Sequence, residues 1–143
     1  MAYVSKISEA VEKQNNSADG PRGRVLLSQE DDLLIALNLC PPGSQNEFHY
    51  HKGSSQSFLC MEGEMTVRTK ENEGSEPVVH HLTPGMCVLV PGNQYYQLHN
   101  ESDKPTLLYQ VKRPGDQIVV EGKGPVNNRD YFDKMRADRK KAS

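Results

Sequence analysis

Nearly every apolar run in this chain is short and closed by proline or glycine. Leu33–Cys40 (LLIALNLC) runs into Pro41-Pro42-Gly43, and Val78–Leu82 is followed by Pro84-Gly85. Residues 86–90 meet Pro91-Gly92, and Thr106–Lys112 starts just after Pro105. Proline has no N–H and a fixed φ, so a helix cannot run through these points. Glycine supplies the backbone angles that tight turns need. Runs of this length fit strands and are too short for ordinary helices. Residues 24–28, 48–51, 57–61, 64–69, 94–99 and 115–120 read as further strands. Many short strands at even spacing predict an all-β sandwich or closed double-sheet barrel.

The chain has 143 residues, which suits one domain. Its net charge of −2 offers no electrostatic footprint for nucleic acid or an anionic membrane surface. No apolar run approaches the roughly 20 residues of a membrane-spanning helix. The first residues, MAYVSKISEAV, lack a basic region followed by an apolar core, so no signal peptide is expected. Cys40, Cys60 and Cys87 are odd in number, far apart and set in apolar runs. They read as buried free thiols of a reducing compartment, and the expected location is cytoplasmic. Residues 1–24 read as an N-terminal arm with a short helical stripe (Tyr3, Ile7, Ala10, Val11). Residues 25–122 read as the barrel and 123–143 as a C-terminal tail. Within that tail, residues 130–141 (DYFDKMRADRKK) run from acidic to basic, which predicts a short helix.

Chemistry concentrates in residues 43–63, GSQNEFHYHKGSSQSFLCMEG. Residues i and i+2 of a strand share a face, so His49 and His51 can aim two imidazoles at one point. After a Lys52-Gly53-Ser54-Ser55 turn, Gln56 can bring an amide oxygen back toward it. Two imidazoles and an oxygen outline a transition-metal site. The alternative is a solvent-facing strand. Residues 85–100, GMCVLVPGNQYYQLHN, form the second informative stretch. Alternation puts Tyr96, Leu98 and Asn100 on one face and Tyr95, Gln97 and His99 on the other. A bulge would exchange them, so Tyr96 and His99 are both candidates for the site. Tyr96 could ligate a metal, donate a hydrogen bond or pack as an aromatic. Phe58 and Cys60 share the parity of Gln56. His80 and His81 read as an outer pair. Arg68 and Lys112 are candidates for holding a substrate carboxylate, against the simpler reading of a charged outer face.

Together the two stretches resemble the two motifs of the cupin superfamily. The first is Gly, five residues, His-x-His, three or four residues, Glu, six residues, Gly. Here it reads Gly43, His49-Tyr50-His51, Gln56 and Gly63, with glutamine for the acid. The second is Gly, five residues, Pro-x-Gly, two residues, His, three residues, Asn. Gly85, Pro91 and Asn100 fit it, Asn93 replaces the glycine, and Tyr96 stands where the third histidine would be. The resemblance spans about residues 25–120. It implies a cupin double-stranded β-helix, a jelly-roll barrel, here with an N-terminal arm and a short C-terminal helix. It also implies one divalent transition metal held by His49, His51, Gln56 and Tyr96, with Fe(II) first and Zn or Ni as alternatives, and a homodimer. It implies a small-molecule enzyme, first an iron dioxygenase acting on an enolic or aromatic substrate. Residues 56–68 are also similar to a segment of 3-hydroxyanthranilate-type ring-cleaving cupins. Cupin-type polyketide cyclases that use glutamine beside histidine point instead to a non-oxidative cyclase, isomerase or lyase, with Tyr96 or His99 moving the proton. A ligand-binding cupin without catalysis is the third reading. A neutral glutamine leaves the metal its full dipositive charge and raises its Lewis acidity.

Overall fold

A computed structural model describes residues 2–18, 20, 23–114 and 117–126. One helix, α1 (Ile7–Asn15), precedes eleven strands. They are β1 (Arg24–Glu30), β2 (Leu33–Cys40), β3 (His49–His51), β4 (Gln56–Glu62), β5 (Met65–Lys70) and β6 (Val78–Leu82), then β7 (Cys87–Val90), β8 (Tyr95–His99), β9 (Thr106–Lys112), β10 (Ile118–Val120) and β11 (Gly124–Val126). Two antiparallel sheets result, with strand orders β1-β2-β9-β4-β7 and β11-β10-β3-β8-β5-β6. The two sheets are the walls of the expected jelly roll. No helix among the described residues is long and apolar enough to cross a membrane.

Alternation assigns the interior. In β9, Thr106, Leu108, Gln110 and Lys112 are buried, while Leu107, Tyr109 and Val111 are half-buried on the other face. In β4 the buried set is Gln56, Phe58 and Cys60. The apolar members meet Met65, Val67, Leu82, Val90 and Tyr96 in one core cluster. The polar members, Gln56, Gln110 and Lys112, follow at the other end of the same strands. The barrel therefore has an apolar floor and a polar mouth.

Asn100 locks one end of this arrangement. It is fully buried. Its Nδ2 donates to the carbonyls of Cys40 (3.0 Å), Pro41 (3.2 Å) and Lys104 (2.8 Å). Its Oδ1 accepts from Ser102 N (3.1 Å) and Oγ (2.7 Å). The asparagine of the second motif is thus a clamp between the ends of β2 and β8. Asn93 takes a left-handed φ of 67°, the conformation glycine would supply, and its Oδ1 accepts from Gly53 N at 3.0 Å. Asparagine tolerates that region better than other side chains, so the substitution keeps the turn. Gly63 has no such latitude: a Cβ there would stand 2.6 Å from the Pro105 carbonyl oxygen.

Three expectations are corrected. The second sheet continues beyond residue 122, because β11 pairs with β10. Pro125 can occupy β11 because an edge strand has one side without ladder bonds. Cys87 is exposed and Cys40 half-buried, so only Cys60 is the buried thiol expected of all three. Alternation places Cys87 on the outer face of β7. His80 is half-buried and meets Thr69 Oγ1 at 3.1 Å, whereas His81 is exposed. The helix expected over residues 130–141 lies outside the described residues.

Replacing Asn100 by Ala removes the three donations and should cost ~2–3 kcal/mol in chemical denaturation. Asn100→Asp should cost more, because it sets a carboxylate oxygen against three carbonyls. An aspartate variant as stable as the native chain would contradict the clamp.

Candidate functional site

Strand β3 is three residues long and lies between β10 and β8. Its outer residues face inward and Tyr50 faces out, edge-on to Tyr95 with ring centroids 4.9 Å apart. His49 pairs in register with Tyr96 on β8. The two imidazole centroids stand 5.1 Å apart at 80°, and the Tyr96 ring lies 4.5 Å from that of His49. His51 Nε2 is 3.2 Å from Tyr96 Oη, and His51 Nδ1 is 3.1 Å from Lys112 Nζ. The structure therefore brings His49, His51, Tyr96 and Lys112 together from both sheets.

His99 does not join them. The ladder between β5 and β8 runs without a register shift, so alternation holds and no bulge turns His99 inward. Its Nδ1 meets Glu101 Oε1 at 3.2 Å and Arg68 Nη1 at 3.3 Å on the outer face. Arg68 is bound to Glu101 there and cannot reach a substrate inside. Of the two candidates for a substrate carboxylate, only Lys112 is interior.

Sheet A, as we term β1-β2-β9-β4-β7, contributes a polar wall. Asn38 Nδ2 donates to Gln110 Oε1 at 3.0 Å, and Gln110 Nε2 donates to Gln56 Oε1 at 2.8 Å. Gln56 is in register with Lys112 on the neighbouring strand. One lone pair of Gln56 Oε1 is thereby committed and the other remains. Gln110, Asn38 and Arg24 were not singled out from sequence. The alternation of TLLYQVK carries a signal for Gln110, since it shares a face with Leu108 and Lys112. Nothing local marks Arg24 or Asn38, which reach the site through the pairing of β1 with β2.

Burial controls the charges. It pushes the His49 pKa down to about 4, opposed by the Glu47 carbonyl and helped by Lys112. Burial, Lys112, His49 and Arg24 push His51 down to about 2. Both rings are therefore neutral at physiological pH. Burial and the Arg24 guanidinium push Lys112 down to about 7. Among the described residues no Asp or Glu is buried. Buried Lys112 and half-buried Arg24 stand near the His pair.

The donor set fits a divalent transition metal. His49 Nδ1 donates to Glu47 O at 2.7 Å, which makes Nε2 the lone-pair nitrogen. That backbone contact is the orienting bond metal-binding imidazoles use. Two ligands on a tetrahedral ion with bonds near 2.0–2.1 Å stand about 3.3 Å apart. His51 Nε2 and Tyr96 Oη, at 3.2 Å, match that edge. His51 can offer Nε2 only if Nδ1 carries the proton, so Lys112 must accept it as a neutral amine. The lowered Lys112 pKa makes that amine accessible near neutrality. Among the described residues no three His, Cys, Asp or Glu converge, so the metal would depend on tyrosine and glutamine oxygens.

Comparison with known proteins agrees with the fold. A family described as Cupin domain matches residues 38–112, just over half of the chain. An uncharacterized protein of Acanthamoeba polyphaga mimivirus is 28% identical over 94 residues, 65% of this chain and 56% of that protein. The chain thus spans little more than half the length of that curated relative. A Bacillus halodurans crystal structure superposes with a TM-score of 0.66 at 18% identity, covering 80% of this chain and 82% of that one. A double-stranded β-helix protein from Klebsiella pneumoniae gives 0.62 at 18% identity, covering 86% and 100%.

A pH dependence of stability follows from the neutral imidazoles. Above about pH 6.5 neither the folded nor the unfolded state protonates them. As pH falls toward 4, the unfolded histidines bind protons while the folded ones resist, so folding weakens. For His49 the effect is on the order of 3 kcal/mol by pH 4. Urea denaturation at pH 7 and pH 4.5 should show a smaller loss for His49→Gln than for the native chain. Equal losses would show that His49 is not held neutral by burial.

Proposed function

The chain belongs to the cupin family, and within it we propose that the barrel interior is the site of a metal-dependent enzyme acting on a small, anionic, enolisable molecule by proton transfer. The observation that carries this is buried Lys112 in contact with His51 Nδ1 at 3.1 Å. An amine that accepts from His51 keeps two N–H donors, which an anionic oxygen in the barrel would satisfy. His49, His51 and Tyr96, with the remaining lone pair of Gln56, would hold the metal. Zn, Ni and Fe(II) all suit imidazole ligands. When bound, the metal would polarise the substrate oxygen as a Lewis acid.

The residues of the chain divide the remaining work. Glu47 O fixes the His49 tautomer and Lys112 fixes that of His51. Asn38 and Gln110 hold the Gln56 amide in one orientation. The two N–H donors of Lys112, with Arg24 near them, orient the anionic group of the substrate, and Tyr96 is the remaining interior group able to move a proton. Phe58 and Val67 form an apolar floor that keeps water from the bound molecule. A neutral glutamine in place of an acid raises the Lewis acidity of a bound metal, which favours the cyclase, isomerase or lyase class over the iron dioxygenase.

Elemental analysis of protein purified without chelator, paired with an oxygen electrode, tests the reading. We expect about one Zn or Ni per chain, and no oxygen uptake by the iron-loaded form with a catechol or a β-keto acid. Oxygen uptake would return the assignment to the dioxygenase. Full metal content in a His49→Ala/His51→Ala double variant would remove the metal site altogether. Lys112→Met should retain the metal and weaken β-keto acid binding by about tenfold or more. Unchanged affinity would mean that the lysine does not hold the anion.

A further inference from the structure

Strand β6 ends the sheet β11-β10-β3-β8-β5-β6, and its ladder to β5 runs without a register shift. Its other side is open. Among the described residues, no backbone group of Val78–Leu82 bonds outside that ladder. Side chains do not shield it either. Val78 is 58% exposed and Val79 59%, one toward each face of the sheet. Natural edge strands are blunted by lysine, proline or a bulge, and β6 (VVHHL) has none of these.

Acid gathers at both ends of the strand. Before it, Glu71, Glu73 and Glu76 are exposed, and none of them meets a cation among the described residues. At its far end lies a cleft of about 230 Å³, lined by Glu64, Thr66, His81, Glu101 and Ser102. Thr66 sits at its centre, in register with His81 on one side and His99 on the other. It is only 4% exposed, and its hydroxyl has no hydrogen-bond partner among the described residues. Arg68 already holds Glu101. Glu64 is not held in this way, because His81 Nε2 lies 3.6 Å from its Oε2, beyond hydrogen-bond distance. A carboxylate and a buried hydroxyl therefore both offer oxygen to the cleft without a donor to match.

We propose that β6 takes up an extended peptide as a further strand, with apolar residues beside Val78 and Val79 and a basic side chain in the cleft. Main-chain hydrogen bonds to a sheet edge supply affinity, and side-chain pockets supply selectivity. A guanidinium or ammonium group carries donors enough for Glu64 and Thr66 together. An added strand lies about 4.8 Å from β6, so a long basic side chain in the row of His81 extends across that imidazole toward the cleft. Charge argues against a second copy of this chain in the same place. Two-fold pairing of β6 with itself sets acid against acid in either strand direction. The surface lies outside the barrel and does not depend on a metal there.

Fluorescence anisotropy on the full chain, with labelled peptide probes, tests the proposal. The basic probe RVTVTVR should bind saturably, and the acidic probe EVTVTVE at least roughly tenfold more weakly. Methylating alternate backbone nitrogens of RVTVTVR should cost about tenfold for the set that faces the edge and little for the other set. Thr66→Val and Glu64→Gln should each weaken RVTVTVR by roughly threefold or more, with unchanged circular dichroism and metal content. Should a variant fail to fold, the probes compared on the native chain still decide. No binding of RVTVTVR, or equal binding of the acidic probe, would overturn the proposal. So would an affinity that neither methylated set changes, or one that both variants leave intact.

Discussion

Strand β9 is hydrogen-bonded along its length on both sides, to β2 and to β4, and the site depends on that double pairing. Register has a period of two, so a slip by one residue would send Gln110 and Lys112 outward and bring Tyr109 and Val111 in. Two ladders oppose such a slip where one would permit it. The same pairing aligns Gln56 with Lys112 and Phe58 with Gln110, which places the amide relay directly above the apolar floor. Polar and apolar residues are thus sorted by position along the strands as well as by face.

Chemistry at the mouth follows from this sorting. Two imidazoles stay neutral chiefly because they are buried, and Lys112 adds to the effect, against the pull of Glu47 on His49. A family member with glutamate in place of Gln56 would carry a negative charge there, and the electrostatics of Lys112 and His51 would change with it. With Gln56, no carboxylate stands beside Lys112 at that position of β4.

Much of this was legible in the residues. Leu33–Cys40, Val78–Leu82 and Thr106–Lys112 could be read as strands to their ends, because proline and glycine bound them. Alternation put His49 and His51 on one face and Tyr96 opposite His99; which face points inward took the unbroken ladder between β5 and β8 to decide. What alternation could not supply was proximity between strands far apart in sequence. Arg24 and Asn38 are separated from Lys112 by more than seventy residues, and only the order β1-β2-β9 brings them near. Cys87 was misjudged because an apolar run was taken to be buried on both faces. Its strand lies at an edge, where one face of the run is exposed. β11 was missed because a Gly-Pro pair reads as a turn, and only an edge position lets proline enter a ladder.

The edges themselves have a consequence. β1 is bulged between Leu26 and Ser28, β7 has four residues, and β11 carries a proline. Each is a poor template for another strand. Growth by adding strands, which has no natural stopping point, is discouraged at these three borders, whereas β6, the fourth edge, exposes Val78 and Val79 on an unbroken strand.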